Sequence, residues 1–231
     1  MTQTFKALSV LLEYPVQEFM NNMADVKAAI EQEALVPAKV RGSLFSFMDE
    51  LAKKPILESQ EEYVALFDRS RLHSLYLFEH IHGESRDRGQ AMIDLIDQYR
   101  LHGFEITSRE LPDYLPLFLE FLNTLSVDVA QSYLGEVVHI IAAIEAKLKD
   151  RKQPYHVVFK ALESLTSAKV DEKFVEQAVT EARSTDTSLE ALDREWEETP
   201  AFDGTGESDC GTCPQATRHP EQTYTQTNQA G

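Results

Sequence analysis

An all-α fold is what this chain predicts, and three observations carry the prediction. Apolar residues recur at three- and four-residue spacing through nearly all of the first 183 residues, which lays them along one face of a helix. No alternating apolar–polar run bounded by turn signals reads as a strand. Only nine glycines occur in 231 residues, which suits helices joined by short connections. The expectation is a single compact domain of about eight to ten helices.

The elements follow in order. Phe5, Leu8, Leu11 and Leu12 form a first stripe that ends at Tyr14-Pro15, and Phe19, Met23, Val26 and Ile30 form a second. Pro37 opens a third helix carrying Val40, Leu44, Phe47, Met48 and Leu51; in a first turn, proline loses no helical hydrogen bond. Pro55 restarts the chain, with Tyr63, Leu66 and Phe67 on the next face. Residues 70–87 mix charges, aromatics and histidines and read as a loop with a short helical turn. From Arg88, the face Met92, Leu95, Ile96 and Tyr99 runs to Gly103, a residue suited to ending a helix. Val127 to Lys149 reads as one long amphipathic helix through Val129, Tyr133, Val137, Ile140, Ile141, Ile144 and Leu148. Pro154 starts another through Val157, Val158, Ala161 and Leu162, and a last helix spans Glu172 to Arg183.

The segment from Glu110 to Leu122 stands apart, with two prolines, three acids and a dense apolar run. Pro112 and Pro116 lie too close together for a plain core helix. The expected geometry is a turn at residues 110–113 feeding a buried helix from Leu115. Asp113 and Tyr114 then form an exposed acid and aromatic at the helix mouth.

Composition changes after residue 183. From Glu181 onward eleven acids face three arginines, and Gly, Thr, Gln, Pro and Ser dominate. Such a stretch buries too little apolar surface to offset its ordering entropy. The expected organisation is a helical domain at 1–183 and a disordered acidic tail at 184–231, with Trp196 and Phe202 as isolated apolar residues.

Acids outnumber bases 39 to 22, for a net charge of −17. That balance disfavours nucleic acid and anionic membrane as partners and favours a basic one. No run approaches the roughly 20 apolar residues of a membrane span. The N-terminal stretch lacks the features of a signal peptide, and two cysteines build no disulfide framework, so the cytoplasm is the expected compartment.

Two clusters compete for chemistry. Cys210-Gly211-Thr212-Cys213 has redox or metal spacing but lacks the preceding strand and following helix that lower a thiol pKa, and of the further ligands that a closed four-ligand zinc site needs only His219 lies near. Glu79-His80-Ile81-His82-Gly83-Glu84, with His73 and Asp87 close, would align His80 and His82 if extended. Neither cluster has a visible scaffold. No phosphate loop, dinucleotide fingerprint, nucleophile elbow or zincin motif occurs. The expectation is a non-enzyme with no resident cofactor and no metal.

Two segments carry a resemblance. One is Glu61-Glu62-Tyr63-Val64-Ala65-Leu66-Phe67-Asp68-Arg69-Ser70-Arg71, continuing through Leu75-Tyr76-Leu77-Phe78-Glu79-His80 to Arg86-Asp87-Arg88-Gly89. The other is Glu110-Leu111-Pro112-Asp113-Tyr114 with its apolar helix, and Leu11-Leu12-Glu13-Tyr14-Pro15 adds to them. Over roughly residues 4 to 180 the chain resembles the NarJ-type nitrate reductase assembly chaperones, within the all-helical redox-enzyme maturation chaperones. In the wider family the second motif reads Glu-Pro-x-Asp-His and lies at a leader-peptide groove. Here the proline is displaced by one place and Tyr114 stands where histidine is usual, so no histidine-dependent role carries over.

The resemblance implies a cytoplasmic chaperone that binds the N-terminal segment of the nitrate reductase catalytic subunit. It would hold that subunit competent for molybdenum cofactor and iron–sulfur insertion before membrane docking, with cofactor-delivery machinery as a further partner. The implied peptide-binding residues are Tyr63, Phe67, Asp68, Glu110, Pro112, Asp113, Tyr114 and Phe118. An apolar helical groove would take the peptide's nonpolar face while acids such as Asp68, Glu79, Glu110 and Asp113 meet its basic residues. Two alternatives stand beside it: a metal or redox protein using Cys210 and Cys213, and a helical adaptor for another basic partner.

Overall fold

The computed structural model describes residues 2–69, 71–82, 86–107 and 109–185. The expectations for the tail, including Trp196, Phe202, Cys210, Cys213 and His219, fall outside these residues, as do Ser70, Gly83 and Glu84.

Twelve α-helices form among the described residues. They are α1 (Gln3–Leu11), α2 (Gln17–Asn21), α3 (Met23–Glu33), α4 (Ala38–Lys53), α5 (Ile56–Tyr63), α6 (Glu79–His82), α7 (Arg86–Leu101), α8 (Leu115–Thr124), α9 (Val127–Glu136), α10 (Val138–Asp150), α11 (His156–Glu163) and α12 (Glu172–Ser184). The all-helical expectation holds. The helices outnumber the eight to ten expected because apolar stripes that read as continuous are broken. Asn22 separates α2 from α3, and the single long helix expected at Val127–Lys149 bends by 66° at Val137. Near that bend sits Gly135, where an added Cβ would lie 3.0 Å from the Ala168 Cβ. A glycine weakens the helix by about 1 kcal/mol relative to alanine and admits the loop at 166–168. The bend turns α10 inward, where Ile140, Ile141, Ala143, Ile144 and Leu148 are all buried.

The buried apolar residues form one core cluster. Helix α1 lies on α8 and α3, and α10 lies on α11 and α12, with α4 against α11. Phe5, Leu8 and Leu12 thereby meet the buried face of α8, where Leu115, Leu119, Phe121 and Leu122 have no exposed surface. Helix α12 is capped by Asp171, whose carboxylate accepts from the backbone N–H groups of Lys173 and Phe174 at 3.0 and 3.2 Å. It is tied to α10 by Arg183, which donates to Asp150 at 3.0 Å.

Two terminations position the candidate site. Helix α5 runs into a π-helical turn at Val64–Asp68, closed by the Arg69 N–H donating to the Val64 carbonyl at 3.1 Å. The wider turn lets Leu66 and Phe67 both point inward. Helix α7 ends at Gly103, with φ of 72°, as its sequence predicts. The Phe104 N–H reaches the Tyr99 carbonyl and the Gly103 N–H reaches Arg100, each at 2.9 Å. The rings of Tyr99 and Phe104 pack edge-on at 5.4 Å, the apolar contact that accompanies this cap. The cap ends α7, and Phe104, Glu105 and Thr107 beyond it line one groove with the start of α8.

No single described helix is long and apolar enough to cross a membrane; α9 and α10 pass such a test only when joined across their bend.

Candidate functional site

The motif around Pro112 forms the expected turn, closed by the Tyr114 N–H donating to Leu111 at 3.1 Å. Pro116 falls in the first turn of α8, where its missing N–H costs nothing. What the pattern could not show is the partner of this turn. Tyr76 pairs with Tyr114 as an isolated antiparallel bridge. The Leu77 N–H donates to the Asp113 carbonyl at 2.9 Å, and the Leu115 N–H donates to the Leu75 carbonyl at 2.8 Å. The two motifs of the resemblance are therefore one structural unit.

Asp113 is the fastener of that unit. Its carboxylate is fully buried and accepts from the Phe78 N–H at 3.1 Å. The Arg88 guanidinium lies 3.6 Å from the same oxygen and 3.2 Å from Glu79. The other carboxylate oxygen has no hydrogen-bond partner among the described residues. Burial raises the Asp113 pKa, and the Phe78 N–H and Arg88 only partly oppose it. The expectation of an exposed Asp113 is therefore corrected. The chain places the carboxylate beneath the turn because the backbone of residues 77–78 needs it there.

Four more of the residues expected at the peptide site also lie in the interior. Tyr63, Phe67, Pro112 and Phe118 are buried. Tyr63 donates its hydroxyl to the Leu12 carbonyl at 2.9 Å and packs on Phe67 with ring centroids 5.0 Å apart. Phe67 in turn meets Tyr155 at 5.2 Å and Phe159 at 6.5 Å. Pro112 accepts the Tyr99 hydroxyl on its carbonyl at 2.7 Å. Asp68 is exposed but is not among the residues that line the groove described next. Glu110 and part of Tyr114 remain accessible.

A groove of about 460 Å³ runs between three segments. Tyr114, Pro116 and Leu117 form its floor at the start of α8, with Glu120 one turn further. Glu13, Tyr14 and Val16 come from the α1–α2 connection, and Phe104, Glu105 and Thr107 from the stretch after α7. Four carboxylates thus face aromatic and aliphatic surface, and no lysine or arginine lines the groove among the described residues. Lys6 pairs with Glu120 at its edge. Burial raises the Glu13 pKa; Lys6 opposes this and Glu120 adds to it. The Tyr76 hydroxyl donates to Glu110 at 2.9 Å, and the Tyr76 ring meets that of Tyr114 at a tilt, with centroids 5.3 Å apart. Burial, then the Glu110 carboxylate, raises the Tyr76 pKa, so this hydroxyl stays a donor.

Sequence reasoning found Glu110 and Tyr114 of this groove and missed Glu13, Tyr14, Val16, Phe104, Glu105, Leu117 and Glu120. One signal lies in the sequence: Tyr14 and Val16 are apolar residues flanking a helix-ending proline, and in the structure they are 46% and 49% exposed. The arrangement offers cation acceptors beside apolar surface, the chemistry of recognition.

The histidine cluster resolves differently from its expectation. Residues 79–82 are helical, so the extended geometry that would align His80 with His82 is not adopted. A ring nitrogen of His80 lies 2.8 Å from the Ser74 carbonyl, and one of buried His73 lies 3.3 Å from Leu66. Burial lowers both pKa values to about 4, reinforced by Lys147 at each and by Arg151 at His73. Both values lie below the unfolded value of about 6.5, so protons favour the unfolded chain. This stability is complete above about pH 6.5 and is lost as pH falls toward 4, with a slope approaching about 1.4 kcal/mol per pH unit per histidine. Asp113 and Glu13, whose raised pKa values act with the opposite sign, offset part of it. Denaturant titrations between about pH 7 and 5 are expected to show a shallower loss of stability in His73→Gln/His80→Gln than in the unsubstituted protein. Equal slopes would refute the assignment.

Comparison with known proteins adds an independent line. A model of the nitrate reductase delta subunit family matches residues 18–161. The nitrate reductase molybdenum cofactor assembly chaperone NarJ of Escherichia coli (strain K12) is 42% identical over 192 residues, covering 83% of this chain and 80% of that protein. The probable assembly chaperone NarW of the same strain is 40% identical over 196 residues, 85% and 81% of the two chains. The probable NarJ of Bacillus subtilis (strain 168) is 34% identical over 166 residues, 70% of this chain and 89% of that one.

Proposed function

This chain belongs to the nitrate reductase delta subunit family, that of the NarJ-type molybdenum cofactor assembly chaperones, and from that premise we propose that its groove binds the N-terminal segment of a nitrate reductase catalytic subunit. The chain acts as a chaperone and not as an enzyme. Binding holds the catalytic subunit in a state that accepts the molybdenum cofactor and an iron–sulfur cluster before the subunit docks at the membrane. The cytoplasm, where that subunit is still unassembled, is the proposed compartment, and cofactor-delivery machinery is a further proposed partner.

The observation that carries this reading is the groove itself, which sets four carboxylates beside Tyr14, Val16, Phe104, Tyr114 and Leu117. An amphipathic segment with basic residues satisfies both surfaces at once. Its apolar side chains provide most of the affinity, at about 1.5–3 kcal/mol for each one fully buried. Its cations are steered and selected by the carboxylates. The buried motif residues contribute indirectly, by holding Tyr114 and Glu110 in place through the Tyr76 bridge.

The test is a titration of the protein with the synthetic N-terminal peptide of its cognate catalytic subunit, followed by NMR and calorimetry. Saturable shifts are expected at Tyr14, Phe104, Glu110, Tyr114 and Leu117, with smaller ones at Asp113 and Phe118 beneath. Absence of both heat and shifts would sink the reading.

A further inference from the structure

The groove continues past the residues considered so far. Phe104, Glu105 and Glu110 also bound a second trough of about 620 Å³, whose other walls are Ile96, Tyr99 and Arg100 of α7 with Ile106 and Pro112. The three shared residues make the two troughs adjoining halves of one channel.

Their chemistry differs. The first half adds Glu13 and Glu120 to the two shared carboxylates. The second adds no carboxylate of its own; it adds Arg100, two isoleucines and a proline. The outer side of α7 is also incompletely covered: Met92, Leu95 and Ile96 are half-buried and Ile93 is 53% exposed. Helices of ordinary domains hide such a stripe unless something else covers it.

The geometry points to a polarity in what the channel binds: the partner segment carries a basic block that lies in the Glu13–Glu120 half and an adjoining apolar block that lies in the Ile96–Ile106 half. This deepens the peptide-binding reading and rests on it. Reversed placement is disfavoured twice. A basic block in the second half would face Arg100, whose charge the exposed Asp97 meets at 3.3 Å, and would forgo Glu13 and Glu120; an apolar block in the first would lie against those two carboxylates, which share Lys6. Glu105 and Glu110, at the junction, meet the last basic residue before the apolar block.

Two synthetic probes test this by fluorescence anisotropy: the full N-terminal peptide of the cognate catalytic subunit and a truncation keeping only its basic half. Ile96→Asp is expected to weaken the full peptide about tenfold, the value of one modest apolar anchor, with far less effect on the basic half. Glu13→Gln is expected to weaken both. Ile96→Ala, which adds no charge to α7, should show the same pattern with smaller size, and thermal melting checks that each variant folds. The polarity is overturned if Ile96 substitutions affect both probes equally or neither. It is also overturned if Glu13→Gln spares the basic half. If neither probe binds the unsubstituted protein, the peptide-binding reading itself falls and takes the polarity with it.

Discussion

Reversing the groove's charge with Glu13→Lys and Glu110→Lys together is expected to weaken binding of the N-terminal peptide about a hundredfold, roughly 2.7 kcal/mol, and to abolish reductase maturation. The groove sets Glu13, Glu105, Glu110 and Glu120 against an incoming cation, and Lys6 already occupies Glu120. After the double reversal, two lysines face the ligand's basic residues, and like charges at an interface cost several kcal/mol. The fold should survive. Glu110 is exposed, and its hydrogen bond from the Tyr76 hydroxyl at 2.9 Å is worth about 1 kcal/mol. The unsubstituted protein should lose affinity as salt rises, whereas the variant should show no such loss. Calorimetry at two salt concentrations, with a melting curve for each protein, checks all of this. Undiminished affinity would remove the carboxylates from recognition.

Asp113→Ala is expected to cost about 3 kcal/mol of folding stability, while Asp113→Asn should stay within about 1 kcal/mol of the unsubstituted protein. Alanine strips the acceptor from the Phe78 N–H at 3.1 Å and leaves the Arg88 guanidinium with Glu79 alone. Asparagine keeps an acceptor oxygen in place and removes only the charge, which burial already disfavours strongly enough to raise the pKa. The same contrast should appear in binding, because Asp113 anchors the segment that presents Tyr76 to Glu110 and Tyr114. Equilibrium denaturation of the two variants separates the roles. An alanine variant as stable as the unsubstituted protein, yet unable to bind, would return Asp113 to direct contact with the peptide.

Much of the fold was legible because its signals are local. Pro37 and Pro55 stand immediately before α4 and α5, and Gly103 ends α7 with the required positive φ. Each acts within a few residues of itself. The bend at Val137 was illegible because the apolar stripe runs through it unbroken, and the loop near residue 168 that approaches Gly135 there is distant in the sequence. The histidines misled for a related reason. Their two-residue spacing implies chelation only in extended chain, and residues 79–82 are helical.

The candidate site divides along the same line. Motif residues were picked out by type, and type does not distinguish a residue that touches a ligand from one that holds the contact in place. Asp113, Tyr63 and Phe67 belong to the second kind. Glu13 and Tyr14 line the groove together with Phe104, which lies 90 residues further along the chain with no shared pattern.

From the sequence alone come the helical class, the acidity, the family resemblance and the peculiarity of the Glu110–Leu122 turn, since all depend on composition or on neighbours a few residues away. Only the tertiary structure decided that Tyr76 would pair with Tyr114, that Asp113 would lie beneath the turn rather than on it, and that the α1–α2 connection would close the groove's other side. Those outcomes depend on which buried surfaces meet across long stretches of chain, and a buried backbone N–H takes the nearest acceptor that packing supplies.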